Sequence, residues 1–243
     1  MQGYEAETYG ERIAQTYDEL YPELAATDPM VDLLHRLAGP GPVLELGIGT
    51  GRVALPLARR GVEVHGIEAS RAMVDLLRAK PDSNRLCVSV GDFSEVQFES
   101  RYSLIFAVFN TFFMLQTQEA QVKCFASVAE RLVDDGVFFI EAFVPDPSGF
   151  DRGQRTSVAR IGLDHVLIDV RQHDPVNQKL AGQHILVTEA GIKLYPVPTR
   201  YAWPSELDLM ARLAGLRLRE RWGGCQCEPF DARSDRHVSL YGR

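Results

Sequence analysis

VLELGIGTGR, residues 43–52, sets the fold class of this chain. Its first part, VLELGIG (43–49), has the length and texture of a short buried strand and runs out into glycine. The next stretch, GRVALPLARRG (51–61), spaces its apolar side chains as an amphipathic helix does, and Gly61 supplies the stop. Between them the turn carries glycine at alternate positions, Gly47, Gly49 and Gly51. Glycine is needed where the backbone takes positive φ, or where a ligand lies against the chain. An ordinary tight turn needs one such residue. Three at a strand-to-helix turn meet both needs and mark the crevice where open α/β sheets bind nucleotides. These residues alone leave the kind of nucleotide open. A dinucleotide loop reads Gly-x-Gly-x-x-Gly, and here Arg52 stands in the place of its third glycine. The Gly-Lys-Ser/Thr of a P-loop is absent.

Downstream the alternation continues. VEVHGIEAS (62–70) and SRAMVDLLRAK (70–80) read as strand then helix, RLCVSVGDF (85–93) and YSLIFAVFN (102–110) as two more strands. QEAQVKCFASVAERLV (118–133) reads as a helix closed by Asp135-Gly136, and VFFIEAFVP (137–145) as a fifth strand. Strands alternating with helices over this distance predict a parallel, doubly wound sheet. Upstream, residues 4–38 carry apolar residues at helical spacing, with Tyr9, Ile13, Tyr17, Leu20 and Tyr21 on one face. Pro22 and Pro29 interrupt them, which predicts two helices, the second over 30–38. After Pro147 the helical signal gives way to β-branched residues at period two over 156–201, with turn signals at Gly162, Pro175-Val176-Asn177 and Ala190-Gly191. That pattern predicts an antiparallel meander of three or four strands. A helix over 206–215 and strands over 216–222 and 237–243 complete the chain. The expected organisation is a helical cap (1–40), a core (41–150 and 202–243) and an antiparallel insertion (151–201).

Composition narrows the function. The 243 residues are 45% apolar and 24% charged, an ordinary globular balance, and the net charge is -7. A mildly acidic chain offers no electrostatic reason to bind nucleic acid. No apolar run reaches the ~18 residues of a membrane span, and the polar start MQGYEAETYGERIAQ has no signal-peptide core. The cytoplasm is the expected location. Cys87 and Cys124 lie in apolar stretches, and Cys225-x-Cys227 lacks the second pair a zinc site needs, so no metal is expected.

Glu45-x-Gly47-x-Gly49-x-Gly51 resembles the first motif of class I S-adenosylmethionine-dependent methyltransferases, in the form LELGxGTGR. The resemblance covers nearly the whole chain and implies a seven-stranded, Rossmann-like sheet. It implies that Glu45 steadies the loop and favours the cationic end of the cofactor, with Arg52 beside it. Glu68, seventeen residues past Gly51, would accept both ribose hydroxyls, as an acidic residue does for NAD. In Gly91-Asp92-Phe93 the acid would take the adenine amino group, while Ala69 and Met73 would lie against the ring. Phe109 and Asn110, after the fourth strand, would complete the pocket, and Tyr17 of the Tyr-Asp pair would close over it. The tyrosine-rich start, the run into Phe109-Asn110-Thr111 and the antiparallel insertion are similar to bacterial small-molecule methyltransferases of natural-product and amino-sugar type. The Asn/Asp-Pro-Pro-Tyr/Phe of DNA and glutamine N-methyltransferases is missing, and Asn110-Thr111-Phe112-Phe113 stands there instead.

The expected reaction is methyl transfer from S-adenosylmethionine to nitrogen, or else oxygen, of a small-molecule acceptor, with S-adenosylhomocysteine as product. Alignment of the reactants does most of the work, and a base is needed only where the acceptor must first lose a proton. His173, His184 and His237 are candidates for that base, with Tyr17 as a further catalytic candidate. Tyr9, Phe113, Tyr195, Tyr201 and Trp203 are candidates for an aromatic wall against the acceptor. An antiparallel insertion with an open edge also suits a homodimer contact. Two other readings stand beside this one: an NAD-type oxidoreductase, and a catalytically inactive ligand-binding or interaction protein of the same fold.

Overall fold

Helix α1 (Thr8–Leu20) buries Ile13, Ala14 and Leu20 and keeps its charged face in solvent. In this computed structural model, which describes residues 1–21 and 28–243, the expected break at Pro22 lies outside the described residues. Helix α2 (Asp28–Leu37) takes Pro29 into its first turn, where a missing N–H costs nothing; the helix therefore starts ahead of the expected break. Strand β1 (Val43–Leu46), helix α3 (Ala54–Arg59), strand β2 (Val64–Glu68), helix α4 (Arg71–Arg78) and strand β3 (Leu86–Val90) follow in βα alternation. Strand β4 (Tyr102–Ala107), helix α5 (Gln118–Arg131) and strand β5 (Leu132–Phe143) repeat it.

The helix ending at Arg131 does not stop at Asp135-Gly136 as expected. The chain passes straight into β5, where Tyr102 pairs with Leu132 and Leu104 with Val137, so residues 133–136 bulge out of register. Leu132 is fully buried and anchors the strand ahead of the bulge. A Cβ on Gly136 would come within 2.9 Å of the carbonyl oxygens of Tyr102 and Val133, so this glycine serves a close approach rather than a helix stop.

After β5 the chain leaves the core as β6 (Gln154–Ile161), β7 (His165–Asp174), β8 (Lys179–Thr188), β9 (Gly191–Pro196) and β10 (Thr199–Arg200), all antiparallel. β9 and β10 pair with the same strand, β8, so the expected last strand is one strand broken at Val197-Pro198. Pro198 has no N–H for the ladder, and Val197 N instead donates to Gly182 O at 2.9 Å. The chain returns as helix α6 (Pro204–Leu213) and strands β11 (Arg217–Trp222) and β12 (Arg236–Gly242). The main sheet has seven strands in the order β11-β12-β5-β4-β1-β2-β3, with β12 alone antiparallel to its neighbours β11 and β5.

Alternate residues of the central strands serve opposite faces. Leu44, Ile105, Phe138 and Ile140 pack with α5 and α6. Val43, Leu104, Phe106 and Phe139 pack with α2 and α3. A third cluster joins Ile13, Ala14 and Leu20 of α1 to Met73 of α4 and to Leu167, Leu186 and Tyr195 of the insertion. The insertion is rooted in the core by Arg200, which is 5% exposed. Its guanidinium meets Gln121 of α5 and pairs with Glu206 of α6 at 2.7 Å. A buried ion pair with its hydrogen bonds filled fixes position more than it stabilises.

Candidate active site

The three loop glycines take positive φ, +73° at Gly47, +54° at Gly49 and +79° at Gly51, but each serves a different neighbour. A side chain on Gly47 would run into Thr111, and one on Gly51 into Leu77 and Leu55. A side chain on Gly49 would meet only the Gly47 carbonyl oxygen, at an ordinary 4.0 Å. Gly47 and Gly49 therefore face the cavity, whereas Gly51 packs against the core and does not line it. The loop is fastened from outside. Thr50 Oγ1 donates to Asp18 Oδ1 at 2.7 Å, and Lys80 Nζ reaches both Asp18 at 2.6 Å and Thr50 O at 2.9 Å. Asp18 was visible only as half of a Tyr-Asp pair; its partner lies 32 positions away and no local pattern announces it.

A cavity of about 740 Å³ opens in front of this loop, at the carboxyl ends of the parallel strands. Its floor holds three carboxylates. Glu45 is the last residue but one of β1, and burial pushes its pKa well up, against the pull of Arg52. Glu68 ends β2 and accepts from Gly49 N at 2.9 Å and from Ser70 N at 3.0 Å; burial raises it too. Glu141 of β5 accepts from Phe109 N, and burial again raises its pKa. Arg52 lies over the Phe109 ring at 4.0 Å and near the Tyr17 ring at 5.5 Å, within cation–π range. Its Nε and Nη1 and Glu45 Oε2 are buried polar atoms without a hydrogen-bond partner in the protein. Phe109 and Asn110 both adopt left-handed backbone, φ +57° and +65°, at a cost of about 1–3 kcal/mol each. Asn110 Oδ1 holds this corner by accepting from Phe143 N at 2.7 Å. Ala69, Met73, Asp92 and Phe93 close the cavity on the β2–β3 side.

Several expected residues sit elsewhere. Gly91 lies off the cavity, its α-carbon against Gln97. Phe113 is fully buried behind the wall, edge-on to Phe143. Tyr195 turns toward α1 and bonds Thr16 Oγ1 at 2.9 Å. Tyr201 pairs with His173 Nε2 at 2.9 Å, and both lie at the root of the insertion, His173 in a separate cleft. Trp203 packs its ring edge against Tyr201 and is 40% exposed. His237 is fully buried in β12 and bonded to Ser239, away from the cavity. By contrast Tyr9, Tyr17 and His184 do line it. Period-two alternation says which residues share a face of the insertion, but not which end of that face α1 covers. Tyr4, Tyr21, Met114, Glu141 and Arg171 also line the cavity, with no local pattern to announce them.

Residues 43–136 match the family model described as a methyltransferase domain. The chain is similar over 98% of its length, and 99% of the other, to the CcbJ methyltransferase from Streptomyces caelestis, with 42% identity and a TM-score of 0.91. It belongs to the class I S-adenosylmethionine-dependent methyltransferases. The cypemycin N-terminal methyltransferase of a Streptomyces species is 29% identical over 231 residues, covering 93% of this chain and 94% of that protein. S-adenosylmethionine-bound CalS10, an amino pentose methyltransferase from Micromonospora echinaspora, shares the fold at 19% identity, with coverage of 94% and 97% and a TM-score of 0.68. Neither the oxidoreductase nor the inactive-protein alternative finds support in these relatives. For a methyltransferase the donor set is apt: the loop backbone approaches closely at Gly49, and an unpartnered carboxylate oxygen and guanidinium lie side by side on the floor. No described helix is long and apolar enough to cross a membrane.

Proposed function

We propose that this methyltransferase alkylates the amine nitrogen of a small metabolite. The observation that carries the reading is the cavity's balance of charge and rings. Glu5, Glu45, Glu68, Asp92, Glu141 and Asp235 line it against Arg52, Arg171 and Arg236, so acids outnumber cations, and Tyr4, Tyr9, Tyr17 and Tyr21 face it from the chain start, α1 and the residue after α1. Carboxylates and aromatic faces together favour a cationic ligand. An aliphatic amine arrives as a cation, because its pKa is near ~10.4; a neutral hydroxyl gains nothing from such walls. Two relatives, named an amino pentose methyltransferase and a cypemycin N-terminal methyltransferase, are in keeping with this. The net charge of -7 speaks against a nucleic-acid acceptor.

S-adenosylmethionine, when bound, supplies a methyl group activated on a sulfonium sulfur. In the proposed assignment Glu68 takes the ribose hydroxyls, Asp92 with Phe93 and Met73 the adenine, and Glu45 and Arg52 the amino and carboxylate ends of the amino-acid portion. Tyr17 packs across the opening, with Arg52 held between it and Phe109. The insertion and Tyr9 shape the acceptor side. Aligning nucleophile, methyl and sulfur in this way is worth ~7–11 kcal/mol of barrier.

Titration calorimetry with S-adenosylhomocysteine and a methylation assay read by mass spectrometry test this. The assay sets an aminodeoxysugar glycoside and a short peptide with a free N-terminus against a phenol. Binding of the homocysteine product and N-methylation of an amine are expected. Turnover of the phenol alone would overturn the amine reading, and no binding at millimolar ligand would overturn the cofactor assignment.

A further inference from the structure

The insertion sends an imidazole, His184, into the cavity beside the guanidinium of Arg171. In the β7–β8 register Asp169 lies directly opposite His184, so both side chains stand on one face. Burial leaves the side chains of His184 and Asp169 15% and 17% exposed. Across the gap to α1, His184 Nδ1 lies 2.9 Å from the Tyr21 hydroxyl. On the other side of the ring, Nε2 faces Asp169 Oδ1 at 3.7 Å. Asp169 Oδ2 accepts from Arg171 Nε at 2.8 Å, while Oδ1 is buried with no hydrogen bond. Tyr21, His184 and Arg171 line the cavity.

We infer that Tyr21, His184 and Asp169 form a proton relay that deprotonates the acceptor's ammonium before methylation. The inference rests on the amine reading above. A purely structural Tyr–His contact would not need a buried, unpaired carboxylate oxygen aimed at the far ring nitrogen. Such an oxygen is costly unless a donor comes to it, and an imidazolium Nε2–H is that donor.

The step balances without any outside reactant. An N–H bond of the ammonium breaks and its proton joins the Tyr21 oxygen, while the Tyr21 hydroxyl proton passes to His184 Nδ1. The positive charge moves from the acceptor to the imidazole, opposite Asp169. The electron pair left on nitrogen is then free to form the new N–C bond. The relay returns to its starting state when the imidazolium releases its proton to water. Burial lowers the His184 pKa, with Asp169 opposing and Arg171 assisting, which favours the neutral ring that a base must be. Burial pushes Tyr21 up to about 12, so its oxygen passes a proton on and does not stay ionised. The other groups facing this pair are Arg171 of β7, Tyr195 of β9, Arg52 of the glycine loop, and Tyr17 and Tyr9 of α1, the last hydrogen-bonded to Tyr21.

Two measurements decide the matter. The first needs no turnover: nitrogen-15 histidine NMR of the protein saturated with S-adenosylhomocysteine. The relay requires the tautomer with Nε2–H and a bare Nδ1, and Tyr21→Phe should shift the Nδ1 resonance. A proton resident on Nδ1 at pH 7 would overturn it. The second is the pH profile of kcat/KM for whichever panel amine wild type methylates. His184→Gln should lower the rate on the order of 10²-fold at pH 7, and should approach wild type as the pH rises past the amine's own pKa, ~10.4, where the amine is already free. Asp169→Asn should shift the same profile, and homocysteine-product affinity should stay within about twofold. A loss equal at every pH, or no loss, would sink the relay. Failure of the amine reading shows separately, as a wild-type protein that binds the product yet methylates none of the amines.

Discussion

The glycine loop and the antiparallel insertion wall the same cavity by opposite means. The loop presents backbone: its shape follows from glycines at fixed offsets, and the nearest atoms that constrain it, in Thr111, Leu77 and Leu55, belong to the core. The insertion presents side chains, and which of them reach the cavity depends on how β8 and β9 dock against α1. Sites made of main chain and glycine are encoded locally. Sites made of side chains on a docked sheet are encoded by a register and a packing angle set far away in sequence.

The contrast can be broken most severely at Gly47. Gly47→Ala must hold φ +73° and displace Thr111, a combined strain and overpacking of about 2–6 kcal/mol. S-adenosylhomocysteine binding should fall at least on the order of 100-fold by calorimetry. Gly49→Ala bears only the backbone cost, about 1–2 kcal/mol. If the two variants behave alike in Kd and Tm, the loop is not shaped by its contact with Thr111. Glu68→Ala comes next. Losing a charged acceptor should weaken the homocysteine product by roughly 2–4 kcal/mol. Because Glu68 also holds the N–H groups of Gly49 and Ser70, some fall in Tm is expected as well. An unchanged Kd would place the ribose elsewhere.

Histidines sharpen the same comparison through pH. His237 is buried in the core sheet and His184 in the insertion. Burial, with Arg221 adding to it, depresses His237 to about 4. Between pH 6.5 and 4 the unfolded chain therefore holds a proton that the folded chain does not. The stability is fully present above pH 6.5 and is lost as pH falls through that window, by about 3 kcal/mol in all. Denaturation midpoints of wild type should fall more steeply over this range than those of His237→Asn. Parallel curves would show that His237 is not the group responsible. Burial lowers His184 as well, so it adds to this curve with the same sign and, unlike His237, should also act on rate.

The smallest effects lie in the insertion. Tyr195→Phe gives up its bond to Thr16, worth about 1 kcal/mol, and should lower Tm slightly with Kd unchanged. Trp203→Ala should leave acceptor KM within about twofold, because the ring points away from the cavity. A large KM change there would mean that the acceptor reaches the root of the insertion.

The same division explains what the residues disclosed. The alternation from Val43 to Phe143 and the period-two stretch after Pro147 are both local signals, and both elements stand where those signals put them. Glu45, Gly47, Gly49, Glu68 and Asp92 meet around one cavity because strand ends of a parallel sheet converge there of necessity. Asp135-Gly136 misled because a turn dipeptide within a bulged strand looks like a helix stop. Tyr195, Tyr201 and Trp203 carried the right chemistry for an acceptor wall, yet each is spent on holding the insertion to its neighbours. Tyr21 and Glu141 carried no motif at all, since one acts through helix docking and the other through a strained corner at Phe109-Asn110.

One consequence of the insertion's root is evolutionary. His173 N donates to Gly153 O at 2.7 Å where the chain leaves the core, and Tyr201 N donates to Gln178 O at 3.0 Å where it returns. Both crossings thus flank the single turn between β7 and β8, and Arg200 bolts that spot to two core helices. A segment whose ends are pinned side by side can grow or shrink at its distant turns, at 162–164 and 189–190, for only ~0.6 kcal/mol per doubling of loop length. A lineage could remodel its acceptor pocket by editing those turns while every residue that grips the cofactor stays where it is.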